Sequence, residues 1–218
     1  MFVGHYGPSF VAKKLEPCVP LWVLFPAVQF LDVLWAPLVL LGVEKVRIIP
    51  HFTASNALDL YYMPYTHGLL TALAWSVAVG GCYHFVMRPA NRRTAATVGV
   101  AVFSHWILDA VVHVPDLPLY GNSAKVGFGL WNARALAYTL ESVLLLTGIW
   151  LSRRTARIRP IPIWGFGGFL LAIQAYNTFL APPPTSDRAF AVTALVAYAV
   201  FAAAAWRLEV SGAAPHAA

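Results

Sequence analysis

The chain has 218 residues, 59% of them hydrophobic and 11% charged, with a formal charge of +6 and a mean hydropathy of +0.65. This balance excludes a soluble globular domain and marks an integral membrane protein. Nucleic acid is excluded as a partner because the basic residues sit in short stretches between apolar segments, and Cys18 and Cys82 supply neither a zinc-type pair nor a disulfide framework.

Residues 1–17, MFVGHYGPSFVAKKLEP, lack the small-residue cleavage site of a signal peptide and are read as a short interfacial or partly inserted helix of the mature fold. Six apolar stretches follow, at roughly 19–43, 64–87, 94–114, 131–151, 161–181 and 188–207, each long enough to span hydrocarbon as a helix. The first carries Asp32, with Pro37 five residues later able to open the helix locally. His67 lies in the first turn of the second stretch, and the third carries His105, Asp109 and His113, with Asp116 just beyond Pro115. The loop 115–130, PDLPLYGNSAKVGFGL, is rich in turn residues and suited to covering a site; Gly121, Gly127 and Gly129 lack phosphate-loop spacing and imply only flexibility. Glu141 sits near the middle of the fourth stretch, the fifth has only Gln174 and Asn177 near its centre, and the sixth has no central ionisable group. The ending SGAAPHAA, with His216, reads as a loose tail. No internal repeat is visible. The expected fold is all-α: a polytopic bundle of about six transmembrane helices forming one domain over 1–210, with its metal-site half in 1–150, accessory helices in 160–208 and a flexible tail at 211–218.

Numbering the loops alternately, one side collects Lys13, Lys14, Arg88, Arg92, Arg93, Arg153, Arg154, Arg157, Arg159 and Arg207, ten of the fifteen basic residues. The other side holds Lys45, Arg47, Lys125, Arg134 and Arg188, so both termini are expected in the cytoplasm. Trp22, Trp131, Trp150, Trp164 and Trp206 fall near the proposed helix ends, as interfacial anchors should. With this topology Asp32, His67, Glu141 and the third-segment cluster share the outer half of the bundle.

His105, Asp109 and His113 are spaced by four, so on a helix they occupy one stripe about 80° wide. Ionisable groups at bilayer depth are costly and tend to share a partner, which points to a metal ion or a water-filled site. His and Asp suit zinc first, with manganese or iron as alternatives. His105 and His113 lie about 12 Å apart along the axis, too far to share one ion comfortably. Asp109 is therefore the central ligand with His105 beside it, while His113 is left for a second ion, an outer hydrogen bond or proton transfer; Asp32 and His67 complete the shell by depth. Plainer roles also fit. Asp32 suits a hydrogen bond to a neighbouring helix's hydroxyl, His67 a contact with lipid head groups, and the stripe a metal-free hydrogen-bonded cluster. Glu141 suits an outer hydrogen bond, or pairing with Arg134 or a third-segment histidine. His51 and His84 are read as uninvolved, and Glu44, Asp59 and Asp187 as interfacial charges, Glu44 being on the correct face to assist.

Gly4-His5, QFLD ending at Asp32, YTHGLL around His67, and FSHWILDAVVHVPDLPL together resemble the YdjM-like family of bacterial inner-membrane proteins, described as predicted membrane-bound metal-dependent hydrolases. The resemblance covers roughly residues 1–120. It implies a metal centre drawn from His5, Asp32, His67, His105 and Asp109, and a hydrolytic activity. The chain departs from the family pattern where Val33 and Leu34 follow Asp32 in place of a second acid, and where Gly68 replaces a serine. A cytoplasmic N-terminus also sets His5 opposite an outer site unless the first segment dips into the bundle.

In such a site a metal lowers the pKa of bound water and polarises an acyl or phosphoryl oxygen, and His113 or Asp116 at the mouth takes the proton. An outer-half site facing the lipid bilayer favours a lipid-like or amphipathic ester or phosphoester. Ser104 lacks a GxSxG elbow, which argues against a serine nucleophile. Two other classes compete: a proton- or metal-ion-coupled transporter, with Pro37 or Gly165–Gly168 marking a broken helix, and a non-catalytic subunit with a structural metal. The sequence indicates no particular protein partner.

Overall fold

The computed structural model describes residues 1–87, 91–153 and 160–212. A 3₁₀ turn, Val3–His5, leads into α1 (Tyr6–Leu15), and neither lies at the interface: Val3, His5, Tyr6 and Phe10 are fully buried. α1 packs inside the bundle against α2 (Leu21–Val28), α5 (Arg92–Val112) and α6 (Arg134–Ser152). Glycine makes the approach to α6 close. A Cβ on Gly7 would stand 2.5 Å from the Leu144 carbonyl oxygen, and one on Gly148 would collide with the Gly7 carbonyl oxygen. Between lipid-embedded helices, where apolar side chains gain little by leaving lipid, backbone approach at small residues is a main source of packing. The far end of α1 is tied by charge: Lys13 pairs with Glu209 at 2.6 Å, and Glu16 pairs with Arg93.

The first apolar stretch is two helices, α2 and α3 (Phe30–Leu40), bent by 56° at Gln29. Pro37, the expected point of opening, lies within α3. The break occurs where side chains enter the backbone ladder: His105 Nδ1 stands 2.8 Å from the Val28 carbonyl oxygen, and Gln29 Nε2 donates to the Phe2 carbonyl oxygen at 3.0 Å. The bend puts Asp32 in the first turn of α3, where the helix dipole favours a carboxylate.

The chain is mostly helical, as expected, with two short antiparallel strand pairs in the connections after α3 and α5. β1 (Lys45–Ile48) pairs antiparallel with β2 (Leu58–Tyr62), and β3 (Leu117–Tyr120) with β4 (Ser123–Val126). The second hairpin turns through Gly121 and Asn122, with Gly121 at φ +52°, a left-handed position that glycine adopts without strain. Lys125 Nζ donates to the Tyr61 carbonyl oxygen at 2.6 Å, joining the hairpins. Beneath them Trp35, Met63, Val112, Leu117 and Trp131 form a second core, distinct from the one built by α1, α2, α5 and α8.

The remaining elements are α4 (Leu69–Val86), α7 (Pro160–Phe179) and α8 (Asp187–Gly212). α4 and α5 meet at Gly80 and Gly99, where an added Cβ would lie 2.7 Å from the Ala95 oxygen and 2.8 Å from the Ser76 oxygen respectively. Among the described residues four helices, α4, α5, α6 and α8, are long and apolar enough to cross a membrane, and α2 with α3 makes a fifth if the bent pair is one span. α7, which carries Pro162, Gln174 and Asn177, falls outside that group, so a sixth span is not confirmed among the described residues. The molecule is a mostly helical membrane protein. Arg88, Arg154, Arg157, Arg159 and residues 213–218 of the tail, His216 included, lie outside the described residues.

Gly148→Ala should lower the midpoint of thermal unfolding in detergent, because overpacking typically costs about 1–3 kcal/mol. Gly81→Ala, at a position facing open space, should not lower it. Equal behaviour of the two variants would show that the α1–α6 contact contributes nothing particular.

Candidate metal centre

α5 supplies the axis of the site. His105 and Asp109 face each other one turn apart, with His105 Nε2 3.0 Å from Asp109 Oδ2. The helix ends at Val112, and His113, the C-cap residue with φ −62° and ψ 147°, brings its Nε2 within 3.6 Å of Asp109 Oδ2. His105 and His113 thus approach Asp109 from either side along the axis, and His113 stays outside both groups of potential ligands. From α3, Asp32 Oδ1 stands 3.3 Å from His67 Nε2 and 3.7 Å from His105 Nε2. His67, just before the Gly68 cap of α4, is 3.7 Å from Asp109 Oδ2, and Trp106 holds its backbone by donating from Nε1 to the His67 carbonyl at 2.9 Å. A side chain at Gly68 would have no room, since a Cβ there would lie 2.8 Å from Thr71 Oγ1 and 3.0 Å from the Pro64 oxygen.

His5 also reaches this cluster. Its Nε2 is 3.1 Å from Asp109 Oδ1, and its ring stacks on His105 with centroids 3.8 Å apart. The first segment dips into the bundle and leaves the Met1 amino group 2.5 Å from Asp109 Oδ1. That start of the chain is not on the face where α8 ends at the Lys13–Glu209 pair. Glu141 holds the dip in place: Oε2 accepts from the Phe2 and Gly4 amides at 3.1 and 3.0 Å, and Oε1 accepts from Gln174 Nε2 at 2.9 Å. It therefore pairs with neither Arg134 nor a histidine of α5.

Counting hydrogens decides what the cluster presents. The Thr66 hydroxyl donates to Glu44 Oε2 at 2.6 Å, so its oxygen accepts from His67 Nδ1 at 2.7 Å. The Val28 carbonyl can only accept, which puts the proton of His105 on Nδ1. Asp116 Oδ1, 2.8 Å from His113 Nδ1, does the same for His113. Three imidazoles thus have Nδ1–H committed and turn Nε2 toward the carboxylates of Asp32 and Asp109, a bare lone pair wherever the ring is neutral. Lone pairs facing carboxylates repel unless a cation lies between them. His105 Nε2 is buried with no hydrogen-bond partner, as such an arrangement requires. His5, His105 and Asp109 form one group able to hold a metal ion and Asp32, His67 and His105 another, the ligand atoms of each lying within 4.8 Å of one another.

The outer ring of hydrogen-bonding groups is legible in the sequence only in part: Glu44 and Asp116 stand out there, whereas Tyr198 and the Val28 carbonyl do not. Glu44 Oε1 takes the Tyr65 and Thr66 amides at 2.8 and 3.0 Å. Burial raises its carboxyl above the ordinary range against the opposing pull of His67 and these bonds. Tyr198 of α8 donates to Asp32 Oδ2 at 2.7 Å, fixing which oxygen faces the histidines. Asp116 lies behind His113. Of the two expected proton acceptors, His113 lines the adjoining cavity of about 880 Å³, which Asp32, His67 and Asp109 also line. His84 stays in α4 beside Phe85, Asp59 pairs with Arg47 at 2.6 Å, and Asp187 accepts from the Arg188 amide, all away from the cluster.

No protein-family model, curated protein or solved structure matches the chain.

Thr66→Val and Glu44→Gln should each weaken metal binding about 10- to 100-fold by freeing the His67 ring, as loss of an outer hydrogen-bond partner does elsewhere. Competition titration with a chromophoric chelator measures this. Unchanged affinity in both would remove His67 from the ligand set.

Proposed function

We propose that the protein is a membrane-embedded, metal-dependent hydrolase of a lipid-like or amphipathic ester or phosphoester. The observation that carries this reading is the set of histidine Nε2 atoms aimed at the buried carboxylate of Asp109 and the partly buried one of Asp32, beside a large cavity. His5, Asp32, His67, His105 and Asp109 would hold the divalent ion, and a set rich in imidazole favours zinc, with manganese or iron next. When bound, the ion supplies an acidified water and polarisation of the ester oxygen.

The protein's own groups divide the remaining work. His113, outside both ligand groups and on the cavity wall, has its Nδ1 proton fixed on Asp116, so its Nε2 is free to take a proton from the attacking water and return it to the departing alcohol. Tyr198 and Glu141 act by position, one on Asp32 and the other on the turn that carries His5. The low-polarity bundle excludes bulk water and strengthens each of these interactions. The YdjM-like resemblance supports the same reading and, with it, a bacterial inner-membrane location in which the end of α8 is cytoplasmic. What favours a hydrolase over a carrier or a structural-metal subunit is the presence, beside the ligands, of a proton acceptor that is not itself needed to hold the ion.

Plasma mass spectrometry of detergent-purified protein should find near-stoichiometric zinc, manganese or iron in the wild type, lost in Asp109→Asn and His105→Ala. His113→Ala should keep the metal while turnover of lipid esters or phosphoesters falls about 10²- to 10⁴-fold. A wild type that stays metal-free after repletion would sink the reading.

A further inference from the structure

The cavity beside the cluster has a shape and charge that the ligand set does not explain. α7 and α8 are consecutive in the chain, yet their backbones stand apart: α7 packs on α6 and the first 3₁₀ turn, α8 on α2 and α3. They are bridged by Phe169 edge-on against Phe201, with centroids 6.3 Å apart. The cavity runs into this gap, where Ile173 of α7 and Val196 and Val200 of α8 line it. Val196 and Val200 are more than half exposed, on a stretch of α8 that the bilayer surrounds. The gap is an apolar opening toward lipid.

The opposite end of the cavity is polar and basic. Arg134, Ala137 and Glu141 line it from one face of α6, at intervals of three and four residues. Arg134 therefore stands about 10 Å along the axis from Glu141, at the rim. Its Nε donates to the Ala54 carbonyl at 2.5 Å, which anchors the guanidinium and leaves its terminal nitrogens to bind elsewhere. His51 lines the same rim with φ +63°, a left-handed conformation that a non-glycine residue adopts at some cost. The acids lining the cavity, Asp32, Asp109 and Glu141, are all committed at its inner end. A ligand lying along the cavity thus meets hydrocarbon on one side, the ligand cluster at depth and an anion-binding guanidinium at the mouth.

We infer that the cavity takes an anionic phospholipid sideways from the bilayer, with its acyl chain between α7 and α8 and its head-group phosphate at Arg134 beside His51. The inference deepens the hydrolase reading by naming the substrate class, and it depends on that reading only for what happens at Asp109. Arg suits this role because its planar fork binds a phosphate in two-point fashion.

The test uses the full chain with p-benzoylphenylalanine in place of Ile173, reconstituted in phosphatidylcholine vesicles carrying a small fraction of alkyne-acyl phosphatidic acid, or of alkyne-acyl phosphatidylcholine with the same chains. After photolysis the attached lipid is read by fluorescent tagging on a gel. Phosphatidic acid should label position 173 at least about five times more than phosphatidylcholine. Arg134→Gln should bring the ratio near one, and Arg134→Lys, which keeps the charge, should retain most of it. At Val77 on the exposed face of α4 the ratio should be near one throughout. No labelling at 173, a ratio near one in the wild type, or an unchanged ratio in Arg134→Gln would each overturn the inference. Repeating the labelling in Asp109→Asn separates the two readings: a preserved preference without metal keeps the lipid site even if the hydrolase reading falls. Hydrolysis without any preference removes the lipid site and leaves the hydrolase.

Discussion

Asp32 and Asp109 come from different helices and are aimed at the same imidazole nitrogens inside a bundle built for a bilayer. A single carboxylate at such depth costs about 2.5–3.5 kcal/mol on insertion scales, and two side by side also repel. The surrounding groups answer that cost in layers. The imidazoles turn lone pairs inward, and a carbonyl, a hydroxyl and a carboxylate take up their outer protons. The Met1 ammonium already supplies one positive charge, 2.5 Å from Asp109 Oδ1, and most of the uncommon features of the fold serve to bring these groups together.

The two least regular parts of the chain are cases in point. A straight first span would keep the Val28 carbonyl inside its own ladder and leave His105 with no fixed tautomer. The bend at Gln29 releases that carbonyl and also swings Asp32 to the start of a helix. The dip of the first fifteen residues costs several buried polar groups, and Glu141 with Gln29 satisfies them by meeting the backbone of the 3₁₀ turn. Glycines 7 and 148 make room for the dip, so a backbone contact far from the cluster sets where His5 lies.

Much of the site was legible before the fold. Spacing by four put His105, Asp109 and His113 on one stripe, depth added Asp32 and His67, and the family resemblance contributed His5; the four histidines meet at Asp109, and Asp32 joins through His67 and His105. What could not be read was partnership through backbone. The Val28 carbonyl has no side-chain signature, and Glu141 binds amides that any sequence would supply. Glu44 and Thr66 offered a weak signal, an acid on the correct face and a hydroxyl beside a histidine. The strands were missed for another reason. Lys-Val-Arg-Ile alternates and Gly121-Asn122 is a two-residue hairpin signal, but both fall between apolar runs so dominant that hydropathy hides them. In the other direction, α7 has a span's length, yet its proline and amide side chains place it outside the helices apolar enough to cross.

The place of α1 has a consequence for the order of assembly. Its principal neighbour, α6, begins at Arg134, so when the first residues emerge from the ribosome the surface they will rest on has not been made. At roughly 5–20 residues per second, the opening helix waits several seconds or more before its berth exists. Asp32 and Asp109 meanwhile enter the membrane without His5 beside them. α1 is thus made well before it can settle, and the cluster around Asp109 closes only once α6 has met it.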